Sequence, residues 1–216
     1  MRKLFCRQSM IATIIIFLIF PMHTITMMAQ NRMPPIPENQ MTPDQAAAAE
    51  EFKKVRNRTQ LTGPFVPLLR SPEMLSRARN IGDYVRFNSV LPPRLSEFVI
   101  LITARHWTQN YEWSAHAQIA EREGLDPQII SAIADGRRPD DMAADETALY
   151  DFCTELLHNH DVSDPTYNKM LVHFRDIGVI DTIGIIGYYS MLAMVMNTAR
   201  TPLREGETPG LKAFPR

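Results

Sequence analysis

Between Glu97 and His116 the chain carries side chains whose types and spacing suit proton transfer. Glu112 and His116 lie four apart in RHWTQNYEWSAHAQIAERE, residues 105–123, a stretch with a helical pattern, so the two share one helix face. Glu97 belongs to the preceding apolar run, and a break at Thr108-Gln109-Asn110 turns the two segments into an antiparallel hairpin. Glu97, near the start of one helix, then approaches His116 on the other. A carboxylate beside an imidazole fixes the tautomer of the ring and makes an acid or base that works near neutral pH. A buried pair that only holds the hairpin together is the other reading of the same two residues. Glu112 falls near a helix N-terminus, where the macrodipole favours its ionised form and makes it an electrostatic orienter rather than a base.

Arg105, Trp107, Tyr111 and Tyr188 are the candidate substrate-binding residues around this centre. His106, His158, His160 and His173 do not combine into a metal-ligand spacing, so no metal site is expected. Cys153, in ALYDFCTELL, falls on a helix pattern and reads as a small buried hydrophobe.

The elements that must position these residues are all helices. Thr42-Pro43-Asp44-Gln45 opens a first helix with a capping box, and Ser71-Pro72 caps a second that runs to about Phe87. Pro92-Pro93 precedes the apolar helix bearing Glu97, which must be buried because it is apolar around most of its circumference. Asn110 caps the helix bearing Glu112 and His116, and Gly124 ends it. Further helices start at Asp126-Pro127, Asp145 and Ser163-Asp164-Pro165. A last one, GVIDTIGIIGYYSMLAMVMNTAR, is long and apolar enough to be mistaken for a membrane span, but its Asp181, Tyr188, Tyr189, Asn197 and glycines suit a central helix. Residues 163–200 then form a second hairpin divided near Gly178. No strand of convincing length is present, so the expected fold class is all-α.

At the N-terminus, Arg2, Lys3 and Arg7 precede an apolar run at 10–20 and a stretch ending Met28-Ala29-Gln30, the order of a secretory signal peptide cleaved after Ala29. The protein is therefore expected to be exported, periplasmic or secreted, with a membrane anchor as the alternative if residues 1–29 are retained. Residues 30–41 are rich in proline and polar side chains and read as a flexible lead-in to a domain at 42–204, followed by a tail at 205–216. A net charge of −1 gives no electrostatic footprint for nucleic acid. Loss of the signal removes Cys6, leaving Cys153 without an intramolecular disulfide partner.

The segment PPRLSEFVILITARHWTQNYEWSAHAQIAEREGLDPQIISAI resembles the core hairpin of the carboxymuconolactone decarboxylase family, which includes alkyl hydroperoxidase D-like proteins. The resemblance implies an alkyl hydroperoxidase D-like helical bundle that self-associates as trimers or hexamers. In the family's peroxidase branch a Glu is followed by two cysteines twelve and fifteen residues later and by a His four further on. Those positions here are Glu97, Gln109, Glu112 and His116, so the Glu and His are kept and both thiols are replaced. Gln and Glu cannot perform thiol chemistry. The resemblance then points to the decarboxylase branch, a cofactor-free lyase acting on a small carboxylated lactone or ring acid, with Glu97, Glu112 and His116 as its acid–base unit. A non-catalytic binding or scaffold protein of the same fold is the competing reading, and a thiol peroxidase the third. A cavity at His116 with an arginine nearby favours the lyase, and a filled, dry hairpin favours the scaffold.

Overall fold

The computed structural model describes residues 30–213. The expected signal segment at 1–29 lies outside the described residues, as do 214–216. Among the described residues the regular structure is helical throughout: α1 (Pro43–Arg56), α2 (Phe65–Leu68), α3 (Pro72–Phe87), α4 (Pro93–His106), α5 (Asn110–Arg122), α6 (Pro127–Ala134), α7 (Ala144–Asn159) and α8 (Asp164–Ala199), preceded by a single 3₁₀ turn at Glu38–Gln40.

The helix boundaries follow local chemistry. At α1 the Thr42 hydroxyl accepts the Gln45 N–H at 3.2 Å while the Gln45 side chain accepts the Thr42 N–H at 3.0 Å, the expected capping box. Ser71 precedes α3 but its side chain makes no cap bond, so Pro72 at the first helical position sets that start. α5 is capped one residue earlier than expected. The Gln109 side chain accepts the Tyr111 N–H at 2.7 Å, and the Asn110 carboxamide instead accepts the N–H of Leu211 at 2.8 Å. Gly124 follows α5 with φ +89, the left-handed conformation expected for a helix stop.

α4 is the central element. It packs against α5, α6, α7 and α8, and its residues 95–105 are all buried, including Phe98, Val99 and Leu101 with no exposed surface. Each such side chain contributes about 1.5–3 kcal/mol of transfer free energy. α8 is also long and apolar enough to cross a membrane by length and composition, but 56% of its most apolar window is buried inside the protein against α3, α4 and α7. The break expected near Gly178 occurs at Arg175, whose φ of 56° and ψ of −177° leave the helical region.

The two flanks pack more closely on the bundle than their composition suggests. Residues 30–41, expected to be a flexible lead-in, rest on it through the Arg32 N–H, which donates to Ala199 O at 2.8 Å, and through the partly buried Ile36 and Met41. In the tail, Leu211 is only 4% exposed. Apolar anchors spaced widely in a polar stretch show no periodicity, which is why the composition reads as flexible.

Candidate active site

α4 and α5 pack side by side across the three-residue connection Trp107–Gln109, in which Thr108 adopts φ +48. This hairpin brings His116 Nδ1 to 2.6 Å from Glu97 Oε2, with both side chains buried. Because an ionised carboxylate only accepts, the ring proton of a neutral His116 belongs on Nδ1, leaving Nε2 as its remaining nitrogen. The Tyr189 ring meets the imidazole edge-on, with centroids 5.0 Å apart, and Tyr188 packs edge-on against Tyr189 at 5.1 Å. α8 therefore meets the imidazole through Tyr189. Tyr188 reaches across to α3, where a Cβ at Gly82 would sit 2.2 Å from its hydroxyl, so glycine is required at that crossing. Burial pushes the Tyr188 phenol up to about 12.

Glu112 is 3% exposed, and neither of its carboxyl oxygens has a hydrogen-bond partner within the protein. Burial holds its pKa well above the ordinary carboxylate value. The expectation that the helix N-terminus would keep Glu112 ionised is thus overturned. A dipole effect of about 0.3–1 kcal/mol is outweighed by the cost of desolvating a carboxylate.

These groups line a cavity of about 860 Å³ bounded by α1, α3, α5, α8 and the tail. Glu112, His116, Tyr111, Tyr188 and Tyr189 are in its wall, while Glu97 stands behind His116 and is not. Arg105 and Trp107, expected at the substrate, are not in the wall either. Arg105 donates from Nη1 to the Lys212 carbonyl at 2.7 Å, and the Trp107 carbonyl accepts from Asn197 Nδ2 at 3.1 Å, so both serve to tie the hairpin's turn to its neighbours. Residues at the closed end of a hairpin point away from a site built halfway along it.

Five arginines that sequence reasoning missed take the place of Arg105 in the cavity: Arg56, Arg58, Arg86, Arg122 and Arg204, against the acids Asp83 and Glu112. Arg56 pairs with Asp83 at 2.8 Å, and five arginines against two acids leave the wall a cationic surplus. Phe52, Phe65 and Phe87 supply apolar surface beside it. These arginines come from α1, α3, α5 and the segments after α1 and α8, so no local spacing marks them as a set.

Where the peroxidase pattern has thiols, the structure has a cap and an acid. Gln109 caps α5 and donates to Asn197 Oδ1 at 2.7 Å, and Glu112 faces the cavity. Cys153, the cysteine among the described residues, has no exposed surface on α7, is absent from the cavity wall, and has its thiol pKa pushed up by burial. It is the buried hydrophobe expected.

The sequence matches no family model and no curated protein. Solved structures do match. A peroxidase-related protein from Ralstonia eutropha JMP134, an alkylhydroperoxidase AhpD core, superposes over 82% of this chain and 94% of its own with a TM-score of 0.66 at 17% identity. The fold is that of alkylhydroperoxidase AhpD. The debrominase Bmp8 in complex with 2,3,4-tribromopyrrole matches over 80% of this chain and 91% of its own, with a TM-score of 0.62 at 13% identity. A protein from Agrobacterium tumefaciens described as a putative antioxidant defence protein AhpD covers 63% of this chain and 94% of its own, with a TM-score of 0.53 at 18% identity. The AhpD fold thus includes a debrominase, and this chain places a buried Glu–His pair and an arginine-rich cavity on it.

Proposed function

We propose that the protein is a cofactor-free acid–base enzyme that removes CO2 from a small carboxylated lactone or ring acid. The observation that carries the reading is Glu112: a buried carboxyl without a hydrogen-bond partner in the protein, its pKa pushed up by burial, in the same cavity wall as a histidine already paired to a second carboxylate. Loss of CO2 leaves the electron pair of the broken C–C bond on the ring as a dienolate. That species needs a hydrogen-bond donor at its oxygen and a proton at one carbon. Glu112, being neutral, donates to the developing oxyanion, as a carboxylic acid kept protonated by an apolar site can. His116 delivers the proton to carbon, and the Glu97 carboxylate offsets the charge of the imidazolium that carries it. The arginine surplus favours an anionic ligand, and the cavity has room for a small ring with its substituents.

The small halogenated ring bound by the debrominase Bmp8 supports a ring-sized ligand on this fold. Thiol chemistry of the peroxidase kind finds no support, because neither Gln109 nor Glu112 is a nucleophile of that class and Cys153 is outside the cavity. Self-association is part of the same proposal. Exposed Ile81, Tyr84 and Phe87 on α3 and Ile177, Ile180 and Ile183 on the adjoining α8 form an apolar surface suited to a second copy. Export belongs to it too, on the basic and apolar order of residues 1–29.

The reading is tested by offering the purified protein a panel of carboxylated lactones and ring acids and measuring CO2 release. Turnover of a panel member that is lost in Glu112→Leu, which removes the donor, and lowered by ~10²–10⁴ in His116→Gln is the expected result. Ligand binding by the wild type with no CO2 release from any member would favour the binding protein instead.

A further inference from the structure

The tail after α8 has no regular structure, yet it is fastened at both ends. At its start the Thr201 N–H donates to Met196 O at 3.0 Å. At its far end Leu211 is buried and donates its N–H to Asn110, and Lys212 O accepts from Arg105. Gly210 lies flat on Trp113, where a Cβ would come within 2.8 Å of the indole Cδ1, so the chain passes there only as glycine. Between the two anchors, a turn closed by the Glu207 N–H donating to Arg204 O at 3.1 Å, with Gly206 at φ +82, presents Arg204 to the cavity.

Arg204 is held in a defined place. Its Cζ lies 4.5 Å from the centroid of the Tyr111 ring, and Nη1 donates to Glu207 Oε1 at 2.8 Å. Although burial acts to raise it, the hydrogen bonds from Arg204 and Ser114 leave the Glu207 carboxyl below its ordinary range, so the acid stays charged and keeps its grip. A guanidinium has five N–H donors in a fixed fork, and one bond to Glu207 orients that fork without using it up. Packing for Tyr111 alone would not need the strap, since Gly63 already closes on that ring from the loop after α1.

We propose that the tail is a specificity-determining wall of the cavity and that Arg204 is its anion receptor, binding the carboxylate of a small ring acid beside Tyr111. The proposal rests on the reading of the cavity as the site of a small carboxylated ligand, and it adds the segment that selects for the charge. It makes the cavity depend on residues beyond the last helix, outside the bundle that the α4–α5 hairpin organises.

Benzoate and benzamide, equal in shape and different in charge, serve as probes in calorimetric titrations of the full chain. Wild type is expected to bind benzoate at least about tenfold more tightly than benzamide, and Arg204→Gln to lose that preference, the loss of one charge-assisted bond being worth about that factor. Arg204→Lys should recover part of it, since the charge returns without the fork. Gly210→Ala, which lifts the strap from Trp113, should weaken benzoate binding while the helical circular dichroism stays unchanged. Equal binding of the two probes by wild type, no benzoate binding at all, or an unchanged preference in Arg204→Gln would each overturn the proposal. If Arg204→Gln keeps the preference and Arg86→Gln loses it, the carboxylate-binding cavity stands and the tail's role falls. If the preference depends on Arg204 but no ring acid is decarboxylated, the receptor stands and the reaction falls.

Discussion

Asp181 and Glu112 are buried to the same degree, each with 3% of its surface exposed, and their surroundings differ in one respect. At the junction of α3, α4 and α8, Asp181 accepts the Tyr84 hydroxyl at 3.0 Å and the Val90 N–H at 2.8 Å. In the α5 wall, Glu112 accepts from nothing in the protein. Folding gains from the first arrangement, because the carboxylate exchanges water for two directed donors and closes the α3–α4 connection onto α8. It gains nothing from the second, since a buried polar group without a partner costs about 1–3 kcal/mol. An acid kept this way in a cavity wall, beside a histidine already tied to Glu97, is what the proposed proton-donor role needs.

That difference predicts opposite consequences for opposite regions. The largest expected effect is on chemistry: His116→Gln should lower CO2 release from a panel substrate by ~10²–10⁴, the usual share of a general acid, with little change in melting temperature. Glu97→Gln should cost less, and the double variant far less than the sum, as for groups acting as a unit. Next comes Asp181→Ala, which orphans the Val90 N–H and Tyr84 hydroxyl and should cost about 2–4 kcal/mol in denaturant unfolding. A stable Asp181→Ala variant, or a His116→Gln variant that unfolds, would break the comparison.

A smaller effect is expected at Glu112 itself, read as stability against pH. The folded state favours its neutral form, so the folded chain keeps a proton that the unfolded chain releases above the ordinary value of 4.5. The stability contributed by this carboxyl is full below that value and is lost as pH rises through the raised folded value. Wild type should therefore lose stability relative to Glu112→Gln as pH rises above the ordinary carboxylate range, while in acid the difference between the two should not change with pH. Parallel pH profiles for the two proteins would contradict it. The smallest effect is none: Cys153→Ala should consume an organic hydroperoxide, with a dithiol present, no more slowly than wild type, and a rate lost in that variant would restore thiol chemistry.

The all-α fold, the helix starts at Thr42 and Asp126, and the meeting of Glu97 with His116 were legible because each depends on local or near-local spacing. What was not legible depends on which way a side chain faces in three dimensions. Arg105 lies eight residues from Glu97 on the same helix, yet it points to the tail, whereas Arg86 and Arg204 reach the cavity from segments far apart in sequence. Glu112 misled for a related reason. Its position at a helix N-terminus can be read from the chain, but the burial that desolvates its carboxyl in the folded protein cannot.

The protonation of Glu112 is the claim on which the rest stands, and infrared difference spectroscopy of wild type against Glu112→Gln at neutral pH measures it directly. A carbonyl band of a protonated carboxylic acid, present in wild type and missing from the variant, is the expected result. A difference spectrum showing only the bands of an ionised carboxylate would mean that Glu112 is charged at neutral pH, and the proton-donor role given to it here would be wrong.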